Sequence, residues 1–211
     1  MAEITWLGLD CFRIKSREVT VITDPFDKSA GLGTLNQKAE IVTVSHEYPG
    51  SNKLSGIKGD PFVVTGPGEY EVGGVFVTGV RSYTEKAAED KERIKNNIFV
   101  MLMHDVIVCH LGALGHTLNA QQIEAIGDAD VLLVPVGGEL STSKAAEVIG
   151  QVGPRIVVPM HFSTGKGAEA DTLDKFMKEL GLKEWKTQEK LVVRATESEE
   201  PMQVVVLEVR S

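Results

Sequence analysis

Residues 41–44, Ile-Val-Thr-Val, run straight into Ser45-His46 and then into a stretch holding Pro49, Gly50, Ser51 and Asn52. This abrupt change of chemistry limits the folds open to the chain more than any other feature. Four successive β-branched side chains suit a strand packed on both faces, and the residues that follow are loop formers. His46 is therefore expected at the rim of a rigid sheet, where a scaffold can hold a reactive group in place. The construction recurs. Residues 19–23 end at Asp24-Pro25, where proline stops the ladder and leaves a carboxylate placed to cap a turn; residues 105–109 deliver His110, and residues 155–159 deliver His161.

The remaining pattern places these strand ends in a larger frame. Residues 3–7, 11–15 and 19–23, separated by Gly8-Leu9-Asp10 and Ser16-Arg17-Glu18, read as an antiparallel meander. Strands are expected at 61–65, 75–80 and 131–136, with a hairpin about His104 joining 97–103 to 105–109. Helices are expected from a capping box at Asn119 to Gly127, over 143–151, and from Asp171 to Gly181, where Leu173, Phe176, Met177 and Leu180 share one face. Residues 190–194 and 203–209 read as a closing pair of strands, 27–38 as loop, and the charged run 85–95 as a solvated segment. Strands come first and strand–helix alternation follows. Two sheets packed face to face, with helices outside, satisfy that order in an α/β fold. With 211 residues and 42% hydrophobic content, the chain is expected to form one domain over 1–211.

Charge and composition narrow the partners. Thirty acidic against 22 basic residues give a formal charge of −8, which disfavours a nucleic-acid partner. No stretch approaches the ~20 apolar residues that span a bilayer, and residues 1–10 do not have the pattern of a secretory signal, so a cytoplasmic protein without a membrane partner is expected. Cys11 and Cys109 lie in apolar runs without CxxC spacing and read as buried, unreactive thiols. His104 reads as an exposed turn residue and His116 as an ordinary loop histidine.

The blocks WLGLDCFRI, VITDPF, VSHEYPGSN, HLGALGH, VLLVPVGG and VVPMHF, in that order across most of the chain, resemble the metallo-β-lactamase superfamily. The nearest match is its compact branch of zinc-dependent hydrolase-like and ascorbate-phosphate lactonase-like proteins. That resemblance implies an αββα four-layer sandwich with two metal ions about 3.5 to 4 Å apart at one edge. In the family pattern the positions of His46, Tyr48 and His110 bind the first metal. Gly50, Ser51 and His161 stand at the second metal's positions, and Ala113 where a carboxylate bridges both. The departures concentrate here. Tyr48 offers a neutral phenol with a pKa of about 10, Ser51 a neutral hydroxyl, and Gly50 and Ala113 no donor atom; Leu9 stands where related sequences often carry histidine.

The expectation is a hydrolase-like protein whose two-metal site is largely lost. His46, His110 and His161 are its residual metal ligands, Tyr48, Gly50, Ser51 and Ala113 its degenerate positions, and Asp24 its neighbouring carboxylate. No cofactor is expected; the cleft is non-catalytic or repurposed for a small-molecule ligand, and a homo-oligomer stays open. The alternative is a mononuclear hydrolase in which the three histidines hold one zinc, manganese or iron, acting on a lactone or phosphoester with Asp24, Glu47 or Glu69 as base.

Overall fold

The computed structural model describes residues 1–47, 54–84, 93–162, 171–195 and 201–210. The N-terminal meander forms as its turn chemistry directs: β1 (Ala2–Gly8), β2 (Cys11–Ser16) and β3 (Val19–Thr23) pair antiparallel in sequence. Leu9 and Arg17 take φ +51° each at the two connections. Beyond β3 the sheet continues parallel, through β5 (Ile41–Thr43) to β7 (Phe62–Val64). Between them β4 (Gln37–Lys38) and β6 (Ile57–Lys58) form a small ladder of their own. Parallel pairing puts the carboxyl ends of β3 and β5 side by side, which is where Asp24 and His46 fall.

The second sheet mirrors this plan. β8 (Gly68–Val72), β9 (Val75–Tyr83), β10 (Lys95–Met103) and β11 (Val106–His110) pair antiparallel, and β12 (Val131–Pro135) and β13 (Ile156–Met160) extend the sheet parallel. The hairpin turns at His104 as expected, with φ +65° and an exposed side chain. His110 and His161 thus emerge from the same edge of this sheet as Asp24 and His46 do from the other.

The sheets meet through a shared core that includes Trp6, Phe12, Ile14, Phe99, Met101, Val108, Leu133 and Met160, all buried. α1 (Ala120–Ile126), α2 (Thr142–Val152) and α3 (Asp171–Glu179) carry apolar residues into a second core against the outer face of the second sheet. Asn119 caps α1, its side chain accepting from Gln122 N while Gln122 reaches back to Asn119 N. The outer face of the first sheet is covered differently. There Phe26, Leu35 and Ala39 pack on Leu7, Cys11, Ile22 and Val42, so loop side chains rather than an α-helix do the covering among the described residues.

One expectation is corrected. The two C-terminal segments do not pair with each other: β15 (Leu191–Val193) joins the edge of the first sheet beside β1, and β16 (Gln203–Val204) joins β13 at the edge of the second. β17 (Val206–Leu207) pairs instead with β14 (Thr187–Gln188). Each sheet offered an unpaired edge, and edge donors and acceptors take whichever strand can reach them. Both cysteines are buried, and burial pushes their thiols up, as the sequence implied. No described helix is long and apolar enough to cross a membrane.

Candidate functional site

The turn between β1 and β2 drives Asp10 inward, leaving it 4% exposed. Its backbone carbonyl accepts from Thr23 Oγ1 at 2.8 Å and from His110 Nε2 at 2.9 Å. Its carboxylate Oδ2 meets His161 Nδ1 at 2.8 Å. Oδ1 is buried and has no partner. Burial raises the Asp10 carboxyl, but His161 beside it, with His46, more than offsets this and holds it below the ordinary aspartate value. Asp10 read as a plain turn residue in the sequence; it is the hub of the cluster.

His110 is fully buried behind Asp10, its ring edge-on to Phe12. Nε2 donates to the Asp10 carbonyl, and Nδ1 accepts from Gly112 N at 3.2 Å. Both nitrogens are spent within the protein. Gly112 is required here: at φ +58°, a Cβ would stand 2.5 Å from Asn96 Oδ1 and 2.5 Å from Ser45 Cβ.

Asp24 was expected to cap a local turn. It reaches instead across to the end of β5, accepting Ser45 N on Oδ1 at 2.7 Å and Ser45 Oγ on Oδ2 at 2.6 Å. Burial dominates this carboxyl and raises it to about 6, His110 and the Ser45 bonds offsetting only part of the effect. Ser45 Oγ also lies 2.8 Å from His46 Nδ1. With its one proton on Asp24, the hydroxyl accepts from His46 Nδ1–H, and the row fixes the tautomer of His46. Burial lowers the His46 pKa, so its ring is neutral at pH 7. Asn97 secures the row from the other sheet, its backbone N and Nδ2 donating to Ser45 O at 2.8 and 3.1 Å.

Asp10, Asp24, His46, Ala113 and His161 line a cleft of about 560 Å³, together with the exposed Glu47 and Glu139. His110 does not line it, and Glu69 lies on β8 at the edge of the second sheet. Ala113, half-buried, donates its N–H to Asn96 Oδ1 at 3.0 Å. Gly137 lets the loop after β12 pass directly over the backbone of His161, since a Cβ would collide with the His161 carbonyl. Tyr48, Gly50 and Ser51 lie outside the described residues. His104 sits away from the cleft, its Nε2 against Arg17 Nη2. His116 is tied locally, with Nδ1 against Thr117 O and Nε2 accepting from Tyr83 N.

A metal centre needs several imidazole and carboxylate lone pairs aimed at one point. Both ring nitrogens of His110 and both oxygens of Asp24 are engaged within the protein, one oxygen of Asp10 is held by His161, and Ala113 has no donor. Among the described residues, no three His, Cys, Asp or Glu side chains are placed to hold an ion.

The two-sheet frame with polar groups gathered at one edge defines a class. Residues 3–161 match the β-lactamase superfamily domain, and the chain belongs to that superfamily. Across nearly its whole length it is similar to a Thermotoga maritima protein whose crystal structure is described as a candidate Zn-dependent hydrolase of the metallo-β-lactamase superfamily. Identity is 33% over 98% of this chain and 99% of that one, with a TM-score of 0.80. A UPF0173 protein of Pyrococcus abyssi is 27% identical over 80% of this chain and 87% of the relative. A UPF0173 metal-dependent hydrolase of Methanoculleus marisnigri is 27% identical over 76% and 81%.

Proposed function

We propose that this member of the superfamily has exchanged its metal centre for a hydrogen-bonded Asp–His cluster, and that its cleft holds a small organic molecule rather than hydrolysing a substrate on metal. The observation that carries the reading is His110. A metal-binding histidine keeps one nitrogen for the ion and uses the other for orientation, whereas here Asp10 O and Gly112 N take both. The relatives named metal-dependent hydrolases favour the other reading, a single zinc, manganese or iron held by His46, His110 and His161. For that, His110 would have to break from the Asp10 carbonyl and turn towards the cleft.

Metal analysis of the full chain purified without chelator separates the two. The expected content is well below one equivalent, and near-stoichiometric zinc, manganese or iron would overturn the proposal. The combined variant Tyr48→His, Gly50→Asp, Ser51→His and Ala113→Asp is expected to take up more metal than its parent. A folded variant with unchanged metal content would show that these four positions are not the degenerate ligand positions.

A further inference from the structure

A second concavity, of about 390 Å³, lies on the outer face of the first sheet towards the amino end of β3, whereas Asp24 and the cleft lie beyond its carboxyl end. Its lining comes wholly from residues 13–40, inside the continuous described stretch 1–47. Ile14, Val19 and Val21 turn into the core between the sheets, so Arg13, Lys15 and Thr20 face outward, on the side that no described α-helix covers. The register sets Lys15 directly opposite Thr20. Four cationic side chains, from Arg13, Lys15, Arg17 and Lys38, line this groove against Glu18 and Glu40, the reverse of the balance in a chain of formal charge −8. Glu40 is turned to the backbone, its Oε2 accepting Thr20 N at 2.8 Å, and its Oε1 lies 3.8 Å from Lys38 Nζ. Arg13 has Glu3 at 3.5 Å, and Arg17 spends one nitrogen, Nη2, on His104. Lys15 is exposed and makes no hydrogen bond or ion pair among the described residues. Thr20 is only 8% exposed, and its hydroxyl has no hydrogen-bond partner among the described residues. That oxygen is nevertheless not sealed from solvent, so a nearly buried, unspent donor opens into the groove beside Lys15.

We infer that this groove binds a phosphate group, with Lys15 Nζ, Thr20 Oγ1 and the remaining guanidinium nitrogens of Arg17 as donors, and with Arg13 and Lys38 adding positive charge. A phosphate monoester or free phosphate carries up to about two negative charges and several acceptor oxygens. Its bonds to ammonium and guanidinium donors are roughly twice as strong as those between neutral groups. A carboxylate, with one charge and two oxygens, leaves part of this donor set idle, and a cation meets like charge. The volume falls within the range of small-molecule sites, about 300 to 1,000 Å³, which leaves room for an organic portion beside the phosphate. The groove shares no lining residue with the cleft, so the inference stands apart from what the cleft holds.

The test titrates the full chain calorimetrically, at fixed ionic strength, with glycerol 3-phosphate, inorganic phosphate and glycerol. Both phosphates are expected to bind and glycerol is not. Tighter binding of the ester assigns the groove to a phosphorylated compound, and tighter binding of the free ion assigns it to inorganic phosphate. Lys15→Gln is expected to weaken phosphate binding about tenfold, and Thr20→Val, which keeps the shape and removes an unpartnered hydroxyl, about threefold or more. The amide NMR signals of Lys15, Thr20 and Lys38 are expected to move during the titration. Should Thr20→Val fail to fold, Lys15→Gln, at an exposed position, and the NMR signals decide the matter. Equal affinity in wild type and Lys15→Gln, or binding that leaves those amide signals in place, overturns the inference. Absence of binding by either phosphate at millimolar concentration overturns it as well. Loss of binding in Ala113→Asp, with the groove variants unaffected, would put the phosphate in the cleft instead and also overturn it.

Discussion

At the scale of single residues, the two aspartates of the cleft behave oppositely although both are buried. Asp10 is held low because His161 against its carboxylate outweighs burial; Asp24 is held high because burial outweighs the opposing effects of His110 and Ser45. The second case has a pH consequence. A carboxyl whose native pKa, here about 6, lies above its unfolded value of about 3.9 favours folding while protonated. That contribution is fully present below pH 4 and is lost as the pH rises to 6. Across that window wild type is expected to lose roughly 3 kcal/mol relative to Asp24→Asn, in urea unfolding at a series of pH values. Parallel curves for the two proteins would contradict it. Asp10 carries the reverse sign: its contribution holds above the unfolded pKa and fades in acid.

At the scale of elements, the glycine loops after the strands hold the site as firmly as the strands do. Gly112→Ala would force φ +58° on a residue with a Cβ and drive that carbon into Ser45 and Asn96. A loss of roughly 2 kcal/mol or more is expected in thermal or urea unfolding. His46, whose proton placement depends on Ser45, should show altered imidazole NMR signals in the same variant. This level also shows how far the sequence could be read. β1 to β3, the His104 hairpin and the capped helix at Asn119 were legible because each is specified by neighbours a few residues away. The destinations of β15 and β16 were not, since an isolated edge strand carries no mark of the sheet that will accept it. Asp10 escaped for the same reason. Local chemistry says turn, while its partners Thr23, His110 and His161 lie 13, 100 and 151 residues along the chain. The one signal was its place in the block WLGLDCFRI, next to Leu9.

At the scale of the whole molecule, the cleft exists only while the two sheets stay together. Trp6 and Phe12 from the first sheet and Phe99 and Met101 from the second share a core, and Asn97 donates to both Ser45 O and Thr65 O across the gap. Phe99→Ala is therefore expected to cost about 3 to 5 kcal/mol and to lower the stability of both sheets together. Coincident urea transitions by near-ultraviolet signals of buried Trp6 and by far-ultraviolet circular dichroism would check it. Separate transitions would mean that the sheets unfold independently.

The contact between Asp10 and His161 also sets an order of events during synthesis. One partner leaves the ribosome with the first hairpin and the other only at the end of β13, so a chain halted before residue 161 has a buried-to-be acid with no base to meet it. The pocket therefore closes only once both sheets are present, and any compound that fits it becomes a reporter of that closure.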